Sequence, residues 1–437
     1  MATLQKYQNK KIAIYGMGIT GISAYKILNK LGGQLFCWDD NAKTRKKIKR
    51  FNFSKFWLNK NVVDNIVISP GIDINRCKIK KYLRNNLDKI ITDLDLFFEI
   101  NKNNLIIAIT GTNGKSTTCK IVEKILKTAR YKVKTIGNIG NPTLTLDNIK
   151  KKYIFILEVS SYQLQYSKLF RCKYAAILNI SPDHLDRHKN IRNYIKIKSR
   201  LFFAQNRSDY SFINSENQYS KYLINIYKSK KLKSKLILVN KFSCHSLLKK
   251  INNKHFLSKG NIENLAFAYH IAKKLKISDK IIIKSINKFK GLDHRQEVVF
   301  SNKSLKCIND SKATSFDASL QSLSNYDQIY WIVGGLPKRK DSFNLRNVKN
   351  RIVKAYIIGK NIPFFVRQIN NNIPFSVSEN IKNAINHIYK EIKLNKNPDR
   401  TILLSPAAAS YDQFANFEDR GNYFKSLVKN KFKKINV

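Results

Sequence analysis

Lys115, Ser116 and Thr117 stand directly behind Gly111 and Gly114 in the stretch ITGTNGKST (109–117). An apolar run, LIIAI (105–109), comes before it, and Cys119, Val122, Ile125 and Leu126 recur at helical spacing after it. A strand that feeds a glycine turn and then a helix offers a phosphate free N–H groups and the positive end of a helix dipole. The N–H groups of Thr112, Asn113, Gly114, Lys115 and Ser116 would wrap a β-phosphate. Lys115 would neutralise β and γ oxygens, and Ser116 or Thr117 would offer a hydroxyl to magnesium. The loop is short: only Thr112 and Asn113 separate its glycines, where the common phosphate-binding loop has four residues. Glu158 closes the apolar run YIFIL, and a carboxylate there could hold a metal beside phosphates. NISPDHLDRH (179–188) follows the next apolar run and carries His184, either to that same edge or to a locally bonded helix start. Lys198 lies four residues beyond Tyr194, on the same helix face. By residue type alone it reads as a solvated charge.

A second glycine loop, GMGITG, places Gly16, Gly18 and Gly21 between a strand (Ile12–Tyr15) and a helix (about Thr20–Leu31). Asp39 lies 18 residues after Gly21, near the spacing of a ribose-binding acid. On this pattern NAD, FAD, another nucleotide or plain close packing of strand and helix are all open.

These residues need parallel strands whose carboxyl ends gather at one edge. Candidate strands are IAIY, QLFCW, NIVIS, LIIAIT, YIFILE, AAILN, IYWIVG, AYIIG and TILLS, with helices at 193–203 and 260–275. Residues 229–258 are lysine-rich and weakly patterned, and read as loops and peripheral strands. The expected fold is α/β in three domains. Residues 1–95 form a Rossmann-like domain, 96–291 a P-loop ATPase-type parallel sheet, and 292–437 a second Rossmann-like domain. The 437 residues are 43% apolar, enough for packed cores. The six cysteines include no C-x-x-C pair and read as small buried hydrophobes. No apolar run is long enough to cross a membrane and no export signal is read at the start, so a cytoplasmic protein is expected. Lys+Arg 82 against Asp+Glu 29 gives +53. The lysines are spread along the chain without any nucleic-acid-binding motif, so neither nucleic acid nor membrane is expected as partner. Faster encounter with anionic substrates is the smaller consequence.

ITGTNGKST, LEVSSYQL, NISPDHLDRH, GLDHR, INDSKAT and LSPAAASYDQFANFEDRGNYF occur in that order. Together they resemble the Mur ligases of bacterial cell-wall synthesis, and within them the D-glutamate-adding branch. The resemblance spans Gly16 to Phe424. It implies a monomeric ligase that uses ATP to phosphorylate the alanyl carboxylate of UDP-N-acetylmuramoyl-L-alanine, after which D-glutamate attacks the acyl phosphate. It makes Gly111 to Thr117 the ATP loop, with Asn264, Arg295, Asp310 and Lys312 also reaching the nucleotide. Ser116 and Glu158 would hold one Mg²⁺ and His184 a second, and Lys198 would be carbamylated and serve as a further metal ligand. Ile19, Thr20, Asp39, Ser69, Pro70 and Gly71 would contact uridine diphosphate, in place of a dinucleotide, and Asn138 would lie near the same substrate. Ser410, Phe417 and Lys338 would bind D-glutamate, with Arg339 and Lys340 as neighbouring cations. Closure of the domains around the reaction is expected. Sister ligases fit less well: no D-N-P-R-type motif is present, and Asn113 stands where the L-alanine-adding enzymes have histidine.

Overall fold

The computed structural model of the chain describes residues 5–48, 51–58, 63–138, 142–145, 152–253, 256, 259–338, 341–394 and 399–432. Sixteen strands lie among them, in three sheets. The first sheet holds β1 (Lys11–Tyr15), β2 (Gln34–Trp38), β3 (Asn65–Ile68) and β4 (Ile90–Ile91), ordered β2-β1-β3-β4 and parallel throughout. The second holds β5 (Leu105–Thr110), β6 (Val133–Gly137), β7 (Ile154–Glu158), β8 (Tyr174–Ile177), β9 (Tyr210–Asn214) and β10 (Lys235–Val239). Its order is β10-β9-β8-β5-β7-β6, again all parallel.

β1, β5, β7 and β8 are buried on both faces, which is why their sequences are unbroken apolar runs rather than alternations. Both sheets belong to one compact unit, Met1–Phe289. The helix Asp93–Ile100 ties them. It opens with a capping box between Thr92 and Asp95. The buried Asp95 carboxylate also accepts from the Ser167 hydroxyl and from the N–H groups of Lys168, Leu169 and Phe170, at 2.7–3.1 Å. Four such donors offset the desolvation of a carboxylate that is 1% exposed.

The second unit, Lys290–Val437, holds the third sheet. Its strands are β11 (Glu297–Ser301), β12 (Leu305–Asn309), β13 (Ile329–Gly334), β14 (Ile352–Ile358), β15 (Phe375–Glu379) and β16 (Arg400–Leu404). They run β11-β12-β16-β13-β14-β15, parallel except for the antiparallel β11. Among the described residues no helix is long and apolar enough to cross a membrane.

Candidate active site

β5 is the central topological switch of the second sheet, because the chain passes to one side of it for β6 and β7 and to the other for β8. Ligands in open parallel sheets sit beyond the carboxyl ends at such a point. The loop after β5, the end of β7 and the segment after β8 therefore share one edge. In register, Ile109 pairs with Glu158 and Thr110 with Ile177.

The loop is held from the β8 side. The Thr112 N–H donates to the Asn179 carbonyl (3.0 Å), and the Asn113 N–H donates to the Asn179 side chain (2.8 Å). The Thr112 hydroxyl accepts from the Ser181 N–H at 3.0 Å. Gly114 adopts φ +80° and caps the helix Lys115–Thr128, so the N–H groups at its start face outward. A Cβ at Gly114 would lie 2.2 Å from the Asn264 amide oxygen, which accepts from the Thr118 hydroxyl at 3.1 Å. Asn264, on the helix Lys259–Lys274, thus backs the loop directly. Thr117 is partly exposed in the first turn.

The Ser116 hydroxyl donates to one oxygen of Glu158 at 2.5 Å, and the Asn138 amide donates to the other at 3.0 Å. Glu158 is 2% exposed. A hydroxyl and a carboxylate beside a phosphate loop are hard oxygen donors of the kind Mg²⁺ takes, with phosphates completing its shell. Among the described residues no group of three or more His, Cys, Asp and Glu forms a closed metal cage. That absence is compatible with an ion shared with a nucleotide. His184 stands at φ +54°, with Nδ1 3.0 Å from the Tyr162 hydroxyl and Nε2 3.4 Å from the Asp183 carboxylate. The latter is a nitrogen–oxygen donor pair.

Lys198 overturns the expectation drawn from its residue type. It is 1% exposed rather than solvated, over the Tyr194 ring. Its amine donates to the Thr110 hydroxyl (3.2 Å) and to the Gly111 carbonyl (2.9 Å). The Lys115 amine reaches that same carbonyl (2.9 Å) and that of Thr112 (2.7 Å). Burial, and then the charge of Lys115, push the Lys198 amine well below the ordinary lysine range, while Asp183 and Glu158 oppose this. The first two effects prevail, so this amine gives up its proton more readily than an ordinary lysine.

In the first sheet the expected uridine-diphosphate residues also gather at carboxyl ends. Ile19 is exposed and Thr20 half-buried at the start of the helix after β1. Asp39 follows β2 and accepts from the N–H groups of Met17 and Asn41, each at 2.8 Å. Ser69, Pro70 and Gly71 follow β3, and the Ser69 hydroxyl donates to the Gly16 carbonyl at 2.6 Å.

In the second unit, Asp310 directly follows β12 with its carboxylate turned inward. One oxygen accepts from the Ser322 and Ser405 hydroxyls, and the other from the Gln296 N–H. Burial pushes its pKa up to about 6. The Lys312 amine lies 3.6 Å from the centre of the Phe417 ring, a cation–π contact. Arg295 is half-buried in the turn before β11. Ser410 is buried after β16, and Lys338 follows β13. Arg339 and Lys340 lie outside the described residues. Asn179, Tyr162 and Arg187 were not singled out from sequence. Asn179 carried a legible signal, as a polar residue closing an apolar strand at the ligand edge. The other two carried none.

Comparison with known proteins adds to this geometry. Residues 109–282 match the Mur ligase middle domain. The chain is 36% identical to the UDP-N-acetylmuramoylalanine--D-glutamate ligase of Rickettsia prowazekii, over 98% of this chain and 99% of that protein. It is 31% identical to the protein of the same name from Wolbachia pipientis wMel, over 98% of each. The MurF ligase of Thermotoga maritima, solved in complex with ADP, shares the fold at TM-score 0.58 and 12% identity, covering 98% of this chain and 99% of that one. The UDP-N-acetylmuramate-alanine ligase MurC of the same organism does so at TM-score 0.54 and 15% identity, covering 97% and 100%.

Proposed function

The chain belongs to the Mur ligase family, and from that premise we propose that it joins D-glutamate to UDP-N-acetylmuramoyl-L-alanine in an ATP-dependent ligation. A carboxylate is a poor electrophile, and amide formation in water is uphill. Transfer of the γ-phosphoryl group of ATP to the alanyl carboxylate releases ADP and makes one carboxyl oxygen part of a good leaving group, phosphate. The D-glutamate amine then adds to the carbonyl carbon, loses a proton, and expels inorganic phosphate that carries that oxygen.

One observation carries the reaction type: a phosphate loop whose hydroxyl, carboxylate and two amines converge at Ser116, Glu158, Lys115 and Lys198. Lys115 would turn from the loop carbonyls to the transferring phosphoryl group, whose charge has to be met in place. The N–H groups of Gly111 to Thr117 would hold the β-phosphate, with Asn264 backing the loop and Arg295, Asp310 and Lys312 serving the same nucleotide. Ser116 and Glu158 would hold one Mg²⁺ and His184 a second; bound there, the ions would screen the phosphate charges. A neutral amine is the form that would add CO₂, burial shifts Lys198 toward it, and a carbamate would make it an anionic ligand. Ile19, Thr20, Asp39, Ser69, Pro70, Gly71 and Asn138 would bind the uridine-diphosphate substrate, and Lys338, Ser410 and Phe417 D-glutamate. The division at residues 95 and 291 is part of this reading.

The test is oxygen tracing. With ¹⁸O in the alanyl carboxylate, the label is expected in released phosphate, and release is expected only when ATP, the UDP-sugar and D-glutamate are all present. Unlabelled phosphate would refute the acyl-phosphate route.

A further inference from the structure

Arg187 lies in the short helix Leu185–His188, directly after His184, and its side chain is 8% exposed. Its guanidinium does not face the phosphate loop. Nε donates to the Gln165 side chain at 2.8 Å. One terminal nitrogen donates to the Gly71 carbonyl at 3.3 Å, and the other to the Ile72 carbonyl. The Asp73 carboxylate is 4.0 Å away, and the Tyr162 ring, whose hydroxyl meets His184, lies beneath the guanidinium at 5.4 Å. The link is reciprocal: Arg76, from the segment after β3, donates to the Asp186 carbonyl at 3.0 Å.

The two ends of this link have different neighbours. The Gly71–Ile72 turn is continuous with Ser69, which is bonded to the glycine loop after β1. At the other end, the segment 179–188 holds the phosphate loop through Asn179 and Ser181. Hydrogen bonds at either end of the segment 179–188, joined by its own backbone, therefore connect the turn of the first sheet, through Arg187, to Thr112 and Asn113 of the second. Few side chains could make it. Three donors must leave one planar group in a fixed fork, which lysine cannot supply.

We propose that Arg187 is a positioning residue that couples the two substrate sites: binding of the UDP-sugar at the β3 turn holds the segment 179–188, and hence the phosphate loop, in the register that accepts ATP. The inference rests on the functional reading above, which assigns the first sheet to the uridine-diphosphate substrate. Coupling of this kind is reciprocal, so either ligand reports it.

The test is calorimetric binding of a non-hydrolysable ATP analogue with Mg²⁺, with and without saturating UDP-N-acetylmuramoyl-L-alanine. In the native protein the UDP-sugar should tighten nucleotide binding at least about five-fold, the lower end of typical coupling. In Arg187→Lys, which keeps the charge and loses the fork, the factor should fall below two-fold while circular dichroism stays native. Arg76→Ala removes the exposed reciprocal bond and should lower the factor part-way; it serves as the test should the lysine variant not fold. No tightening in the native protein, or an undiminished factor in the folded Arg187→Lys variant or, failing that, in Arg76→Ala, would overturn the coupling role. Failure of the native protein to bind the UDP-sugar at all is a different result, and would overturn the functional reading and this inference with it.

Discussion

At the scale of single residues, the decisive feature is a lysine amine buried beside a second lysine. Lys198 and Lys115 share the Gly111 carbonyl, and Lys198 has given up its water. A group that only filled space would be cheaper as leucine or methionine, so the amine is retained for its chemistry. Lys198→Ala is expected to lower turnover by roughly 10³-fold, in the range for loss of a preorganised charge. Acetate or propionate added to the assay should restore at least about ten-fold of it, by placing a carboxylate in the space left by a carbamate. Alanine at this site with no rescue, while Mg²⁺ binding is normal, would count against the carbamate. Asp310 is the opposite case, a buried carboxyl group that holds its proton to higher pH than a free one. Its folded pKa, about 6, lies above the unfolded value, so the folded state binds the proton more tightly. The stability this gives is fully present below the unfolded pKa near 4 and is lost as pH rises through 6. Relative to Asp310→Asn, the native protein should lose roughly 2–3 kcal/mol between pH 4 and pH 7 in urea melts. A pH-independent difference would show that the carboxyl is ionised throughout.

Elements place these residues, and the helix start at Gly114 is where placement is tightest. An alanine there would have to adopt φ +80°, at about 1–2 kcal/mol, and push its Cβ into the Asn264 amide. Gly114→Ala should therefore weaken ATP binding and lower stability by roughly 2 kcal/mol. Adding Asn264→Ala removes the clash but not the backbone strain, so the double variant should be more stable than the sum of the two single changes predicts. Strict additivity would mean that the two residues do not touch. Much of this architecture was legible in the sequence. β5, β7 and β8 announced themselves because strands buried on both faces must be apolar throughout, and Lys198 was correctly put on the Tyr194 face of its helix. β10 fits the peripheral strands expected within 229–258, whereas the half-exposed β6 escaped for the converse reason: VKTIG buries too little to impose a pattern. Strand order was not legible, because Ile109 pairs with Glu158 across 49 residues of chain and nothing local encodes that. The burial of Lys198 and the fork of Arg187 stayed hidden for the same reason: their partners, Gly111 and the Gly71–Ile72 turn, lie far away in sequence.

For the whole molecule the controlling quantity is net charge. With 82 basic and 29 acidic residues, pairing every acid would still leave 53 cations without a counterpart. They are spread over the chain, so the long-range field is that of a monopole rather than of one patch. Both phosphate-bearing substrates are anions, and such a field raises the rate at which they arrive without holding them once bound. Salt should therefore act on association. Between about 20 and 300 mM KCl the Debye length shrinks from over 20 Å to under 6 Å, and the association rate constant for UDP-N-acetylmuramoyl-L-alanine, followed by stopped flow, should fall about ten-fold. The dissociation rate should change by less than about two-fold, because short-range contacts to a bound ligand set it rather than the long-range field. The monopole makes a second demand. Reversing one exposed lysine far in sequence from both glycine loops, such as Lys429 to Glu, removes two charges from 53 and should leave the association rate nearly unchanged, whereas a steering patch would be sensitive to where the charge was removed. An association rate indifferent to salt would mean that the excess charge plays no part in delivering substrate.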